Sequence, residues 1–118
     1  MTGKEQYDVI SCLNKLKFDC GEQAAASGWW DPSKKQDGRE IPTLLMLIVT
    51  EVAEAMEAYR KVGPDRVRYD ANFVEELADV IIRIMDMSYR FDLPLSTAIL
   101  NKMDANKERS HRHGGKHA

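Results

Sequence analysis

The sequence predicts an all-α domain. Apolar residues recur every three or four positions through several long stretches. Breakers fall between those stretches: Gly28, Gly63-Pro64 and Asp92-Leu93-Pro94. No segment reads as a strand.

The first helix is expected from about Lys4 to Ala26, with Val9, Ile10, Leu13, Leu16, Phe18 and Cys20 as apolar positions and Gly28 as its stop. A polar loop follows from Trp29 to Glu40, carrying Lys34, Lys35, Asp37, Gly38 and Arg39. The second helix starts near Ile41, because Pro42 suits a first turn where a missing N–H is harmless. It ends at Val62 before Gly63-Pro64, and Leu44, Leu45, Ile48, Val52, Ala55, Met56 and Tyr59 keep its 3.6-residue period. The third helix runs from about Asp70, a suitable N-cap, to Phe91. Its stripe is Phe73, Leu77, Val80, Ile84, Met87 and Phe91, and Ile81, Ile82, Met85 and Tyr89 extend the apolar surface around most of the helix. A helix apolar nearly all round is covered on more than one side, and in so short a chain the second cover is expected from another subunit. The fourth helix spans about Pro94 to Arg109, with Leu95, Ala98, Ile99 and Met103 on one face.

The chain has 118 residues, enough for one domain over residues 1–110, with a basic, histidine-containing tail at 111–118 expected to be flexible. Seventeen basic residues against nineteen acidic ones give a formal charge of −2, which argues against a general nucleic-acid binder. Cys12 and Cys20 form no zinc pattern and read as reduced thiols of a cytoplasmic protein. The N-terminus carries no apolar signal region, and the strongest apolar run, Leu44 to Val49, is too short to span a bilayer.

Chemistry concentrates in four carboxylates. Glu51 and Glu54 lie three apart on the second helix and point about 60° from one another. Glu76 and Asp79 repeat the spacing on the third. Both pairs flank the apolar stripes of helices expected to form an antiparallel hairpin. Converging carboxylates repel, so protons or cations must neutralise them. Oxygen-only ligands suit Mg²⁺, with Mn²⁺ as a substitute. The absence of histidine from both helices weighs against a ferritin-like di-iron site. Such acidic pairs also occur on ordinary solvated helices.

Lys102, Asn106 and Arg109 share one face of the fourth helix, a row suited to gripping phosphates or simply to facing water. Trp29 and Trp30 either cap the core or offer an indole for a nucleobase to stack on. Arg83 reads as a structural partner of the carboxylates. His111, His113 and His117 resemble a metal cluster only superficially, since Gly114-Gly115 lies among them.

Glu51-Val-Ala-Glu54, a gap of 21 residues, then Glu76-Leu-Ala-Asp79 resembles the ExxE…ExxD pattern of the all-α nucleoside triphosphate pyrophosphohydrolases. These include the MazG proteins, dCTP pyrophosphatases and dimeric dUTPases. "EELADVIIRIMD" and the closing "NKMDANKERSHRHGGK" resemble short, single-domain MazG-like members, and the likeness covers roughly residues 41 to 116. It implies a four-helix MazG-like bundle completed by homo-oligomerisation, as a dimer or a dimer of dimers. It implies Mg²⁺ on Glu51, Glu54, Glu76 and Asp79, with Glu51 or Glu54 activating a water. It implies hydrolysis of a nucleoside triphosphate, expected to be a deoxynucleotide, to the monophosphate and pyrophosphate. It also implies phosphate contacts from Lys102, Asn106 and Arg109, and base contacts from the Trp29–Trp30 region and Asn14. Rival readings are a non-enzymatic helical oligomerisation or adaptor module, and a phosphatase of another phosphorylated metabolite.

Overall fold

The computed structural model describes residues 1–31 and 40–112, with side chains as far as Arg109. Among them are four α-helices, one short 3₁₀ turn and no strand. Helix α1 covers Gly3–Ala26, α2 Ile41–Val62, α3 Ala71–Arg90 and α4 Leu95–Arg112. The expected elements are thus present, and α2 has its expected bounds. Helix α4 extends three residues past Arg109, into the region expected to be tail. Lys34, Lys35, Asp37, Gly38, Arg39, His113 and His117 lie outside the described residues.

Local chemistry accounts for the helix ends. Thr2 caps α1 in a reciprocal box: its hydroxyl accepts from the Glu5 N–H at 3.1 Å, and Glu5 accepts from the Thr2 N–H at 2.8 Å. Gly28 ends α1 with φ of 81°, a left-handed conformation that costs glycine little. The Trp29 and Gly28 amides then bond back to the Ala24 and Ala25 carbonyls at 3.0 and 3.1 Å. Gly63, with φ of 76°, ends α2. Asp70 caps α3, accepting from the Phe73 N–H at 3.2 Å.

Helix α3 is central and runs antiparallel to both α1 and α2. Gly21 lies against Tyr89, and Arg90 donates to the Gly21 carbonyl at 2.9 Å. Near the opposite end of that contact, Ser27 faces Asp79 across a shared cleft. The closeness at Gly21 has a reason: a Cβ there would run into the Tyr89 ring and its Cβ. Phe18 meets Tyr89 edge-on at 5.7 Å, and Tyr89 donates to Glu22 at 2.9 Å.

The core within one chain is thin. Among the described residues its buried apolar side chains are Cys20, Ala55, Met85 and Leu100, joined by the buried polar Glu51, Ser88 and Ser96. Helix α4 leans mainly on α1, and Ser96 and Leu100 are buried there rather than Ala98 and Met103 as expected. The radius of gyration is 17.4 Å, where a compact chain of this length has about 13.5 Å. Leu45, Val49, Val52 and Met56 on α2 remain exposed, as do Val74, Leu77 and Ile81 on α3. By helical angle both sets lie on one side of the α2–α3 hairpin, opposite Glu54 and Asp79. No helix among the described residues is long and apolar enough to cross a membrane.

Candidate metal centre and adjoining cleft

The α2–α3 hairpin brings the acidic pairs together. One carboxylate oxygen from each of Glu51, Glu76 and Asp79 lies within 4.8 Å of the others. Their burial is graded: Glu51 is only 8 % exposed, Glu76 is half-buried and Asp79 is open to solvent. Glu54 is exposed beside them, close enough to hydrogen-bond with both Glu51 and Glu76.

Charge is unevenly distributed over this group. Hydrogen bonding to Glu51, then burial, then the nearby Glu54 push Glu76 up to about 7. Burial acts to raise Glu51 as well, but hydrogen bonds from Glu76 and Arg83 outweigh it and hold Glu51 below its ordinary value. Arg83 Nε donates to Glu51 Oε1 at 2.9 Å, in an ion pair largely screened from water. The second Glu76 oxygen, Oε2, is buried without a hydrogen-bond partner. A buried acceptor left over in an all-oxygen cluster fits a hard divalent cation, because such an ion supplies the positive partner that protein donors do not. The residues present therefore suit Mg²⁺ or Mn²⁺.

A cleft of about 350 Å³ adjoins the cluster, between α1 and α3. It is lined by Cys20, Gln23, Ser27, Trp29, Asp79 and Arg83 among others. A second cleft of about 320 Å³ lies toward the start of α2 and shares Trp29, Arg83 and Asp86. The two tryptophans differ. Trp30 is anchored: its indole N–H donates to both Asp86 oxygens at 3.1 and 2.9 Å. Its ring also meets Phe91 edge-on and carries the Arg90 guanidinium 5.0 Å from its centre. These contacts make it a cap on the core. Trp29 is 62 % exposed, with Arg83 4.9 Å from its ring centre.

The remaining expected residues are not gathered here. Asn14 Oδ1 accepts from Ser96 Oγ at 2.7 Å, tying α1 to α4. It lies thirteen residues before Ser27, roughly 20 Å along α1, so it does not reach a base held at Trp29. Lys102, Asn106 and Arg109 are exposed on α4, whose main contact is with α1. Within one chain, that row does not join the carboxylates.

Asp86 and Arg90 were missed as site-supporting residues. A signal was available: Arg83, Asp86 and Arg90 fall at i, i+3 and i+7, a charged line along the C-terminal half of α3. Burial raises Asp86 above its usual value, against the opposing pull of Trp30, Arg90 and Arg83. Cys12 and Cys20 are both free thiols, and burial pushes Cys20 up.

No family model, no curated protein and no solved structure matches this chain significantly.

Proposed function

We propose that the protein is a cytoplasmic, Mg²⁺-dependent nucleoside triphosphate pyrophosphohydrolase of the all-α, MazG-like kind, acting on a deoxynucleotide. One observation carries the reading. Oxygens of Glu51, Glu76 and Asp79 lie within 4.8 Å of one another, and Glu76 keeps a buried oxygen without a partner. The ExxE…ExxD resemblance supplies the choice of the α–β phosphoanhydride.

Bound to those three carboxylates, a divalent cation supplies neutralisation of phosphate charge and a water of lowered pKa. The chain's own residues do the rest. Arg83 holds Glu51 in place through its 2.9 Å hydrogen bond. Glu54, exposed at the edge of the cluster, and Glu51 are the two candidates to take a proton from the attacking water. Trp29 offers a base a flat apolar face at the mouth of the cleft.

The working form is a homo-oligomer. Leu45, Val49, Val52 and Met56 repeat at four, three and four residues, and Val74, Leu77 and Ile81 at three and four, the spacing of a helical seam. Together they leave on the order of 600 Å² of apolar surface per chain, close to one partner's share of a standard interface. Any phosphate contact from Lys102, Asn106 and Arg109 is then made between subunits. The same apolar face is what favours the adaptor reading. A thermal shift with Mg²⁺ and a non-hydrolysable nucleotide separates the two, since an adaptor gains no stability from either.

The test of the activity is pyrophosphate release from a panel of dNTPs with Mg²⁺, in the wild type and in Glu54→Gln and Asp79→Asn. Both variants should keep their helical circular dichroism and lose turnover. Full activity in either sinks the proposal, and orthophosphate as the product favours the phosphatase reading.

A further inference from the structure

Arg83 touches both halves of the site. Its Nε donates to Glu51 Oε1 at 2.9 Å, and its guanidinium carbon lies 4.9 Å from the Trp29 ring centre. Asp86, three residues on along α3, also feels its charge. The Arg83 side chain is only 25 % exposed, so these neighbours, rather than water, set where the guanidinium rests. Trp30 is held by Asp86, Arg90 and Phe91, whereas the largely exposed Trp29 has the Arg83 guanidinium stacked on its ring.

We propose that Arg83 is a positioning residue that couples the carboxylate cluster to Trp29, so that a divalent cation at the cluster relocates the indole that receives the base. This rests on the metal-centre reading above. Arg83 is the positive partner of Glu51. A divalent ion held by Glu51, Glu76 and Asp79 makes Glu51 serve two cations at once. The Glu51–Arg83 bond weakens, and the guanidinium turns toward Asp86, an acidic neighbour that already feels its charge. The indole follows, because a planar cation and an aromatic face keep their contact best by moving together. Base platform and metal centre are thereby assembled in one event, and a nucleotide meets a finished site only when the ion is present.

Intrinsic tryptophan emission during a Mg²⁺ titration tests this, with Mg²⁺ binding followed in parallel by isothermal calorimetry. The full chain is compared as wild type, Trp29→Phe and Arg83→Lys. Magnesium is diamagnetic, so any change reports a new indole environment rather than direct quenching. The wild-type emission maximum should shift with the same midpoint as the heat. Trp29→Phe should bind Mg²⁺ and lose most of the shift, leaving only the smaller response of Trp30 to a guanidinium arriving at its partner Asp86. Arg83→Lys should retain binding and lose the shift, because an ammonium has no planar face. Heat without a shift in the wild type overturns the coupling and leaves the metal centre standing. A shift undiminished in either variant also overturns it. Absence of Mg²⁺ heat overturns the metal reading and the coupling with it. If Arg83→Lys fails to fold by circular dichroism, the wild type and Trp29→Phe decide alone.

Discussion

Binding of Mg²⁺ at pH 6 should expel close to one proton. Glu76 titrates at about 7 in the metal-free fold, so at pH 6 about 0.9 of it is protonated, and at pH 8 about 0.1. A carboxylate must lose its proton to ligate a hard cation. Release should therefore be about 0.9 proton per site at pH 6 and about 0.1 at pH 8. The apparent affinity should fall about tenfold per pH unit below 7 and level off above 8. The metal-free fold carries the matching signature. Because Glu76 binds its proton more tightly folded than unfolded, its contribution to stability is fully present below 4.5 and is lost as pH rises to about 7. Glu51 has the opposite sign: its lowered value gives stability above its ordinary 4.5, lost as pH falls below it. These two effects put the metal-free melting maximum near pH 5 and make added Mg²⁺ most stabilising at pH 8. Calorimetry in two buffers of different ionisation enthalpy counts the protons directly. No release at pH 6, or undiminished release from Glu76→Gln, refutes the reasoning.

Three further outcomes follow from the packing. Gly21→Ala gains about 1 kcal/mol of helix propensity but drives a Cβ into Tyr89, an overpacking cost of about 1–3 kcal/mol; chemical denaturation should show net loss, partly relieved in a Tyr89→Ala background, which removes the ring and keeps the Cβ. Trp30→Phe keeps a ring against Phe91 but strips Asp86 of its indole donor, which should cost about 1–2 kcal/mol, or about 4–8 °C in melting temperature, while Trp29→Phe should barely move it. Ile81→Asp places a charge in the middle of the apolar face; light scattering should find monomers at micromolar concentrations where the wild type is oligomeric, and an unchanged mass would remove that face from the interface.

The helices and the acidic cluster were legible because their determinants are local. Pro42 and Gly63-Pro64 bound α2, Asp70 caps α3, and the three-residue spacings put Glu51, Glu76 and Asp79 on facing sides of one hairpin. The rest depends on contacts between distant parts of the chain. Period alone did not identify Ser96 and Leu100 as the buried positions of α4, because α4 packs mainly against α1. Nor did it separate Trp29 from Trp30, adjacent in sequence, one anchored by Asp86 fifty-six positions away and the other exposed. Asn14 is a polar residue on a suitable helix, yet Ser96 claims its side chain. The short 3₁₀ turn at Val67–Tyr69 went unread because three residues carry no period.

Hydrolysis of a dNTP in ¹⁸O-labelled water with Mg²⁺, followed by mass analysis of both products, tests the central claim most directly. Attack at the α-phosphorus, next to carboxylates Glu51, Glu54, Glu76 and Asp79, predicts one labelled oxygen in the nucleoside monophosphate and unlabelled pyrophosphate in equal amount. Label in the pyrophosphate, release of orthophosphate, or no turnover across the dNTP panel would contradict it.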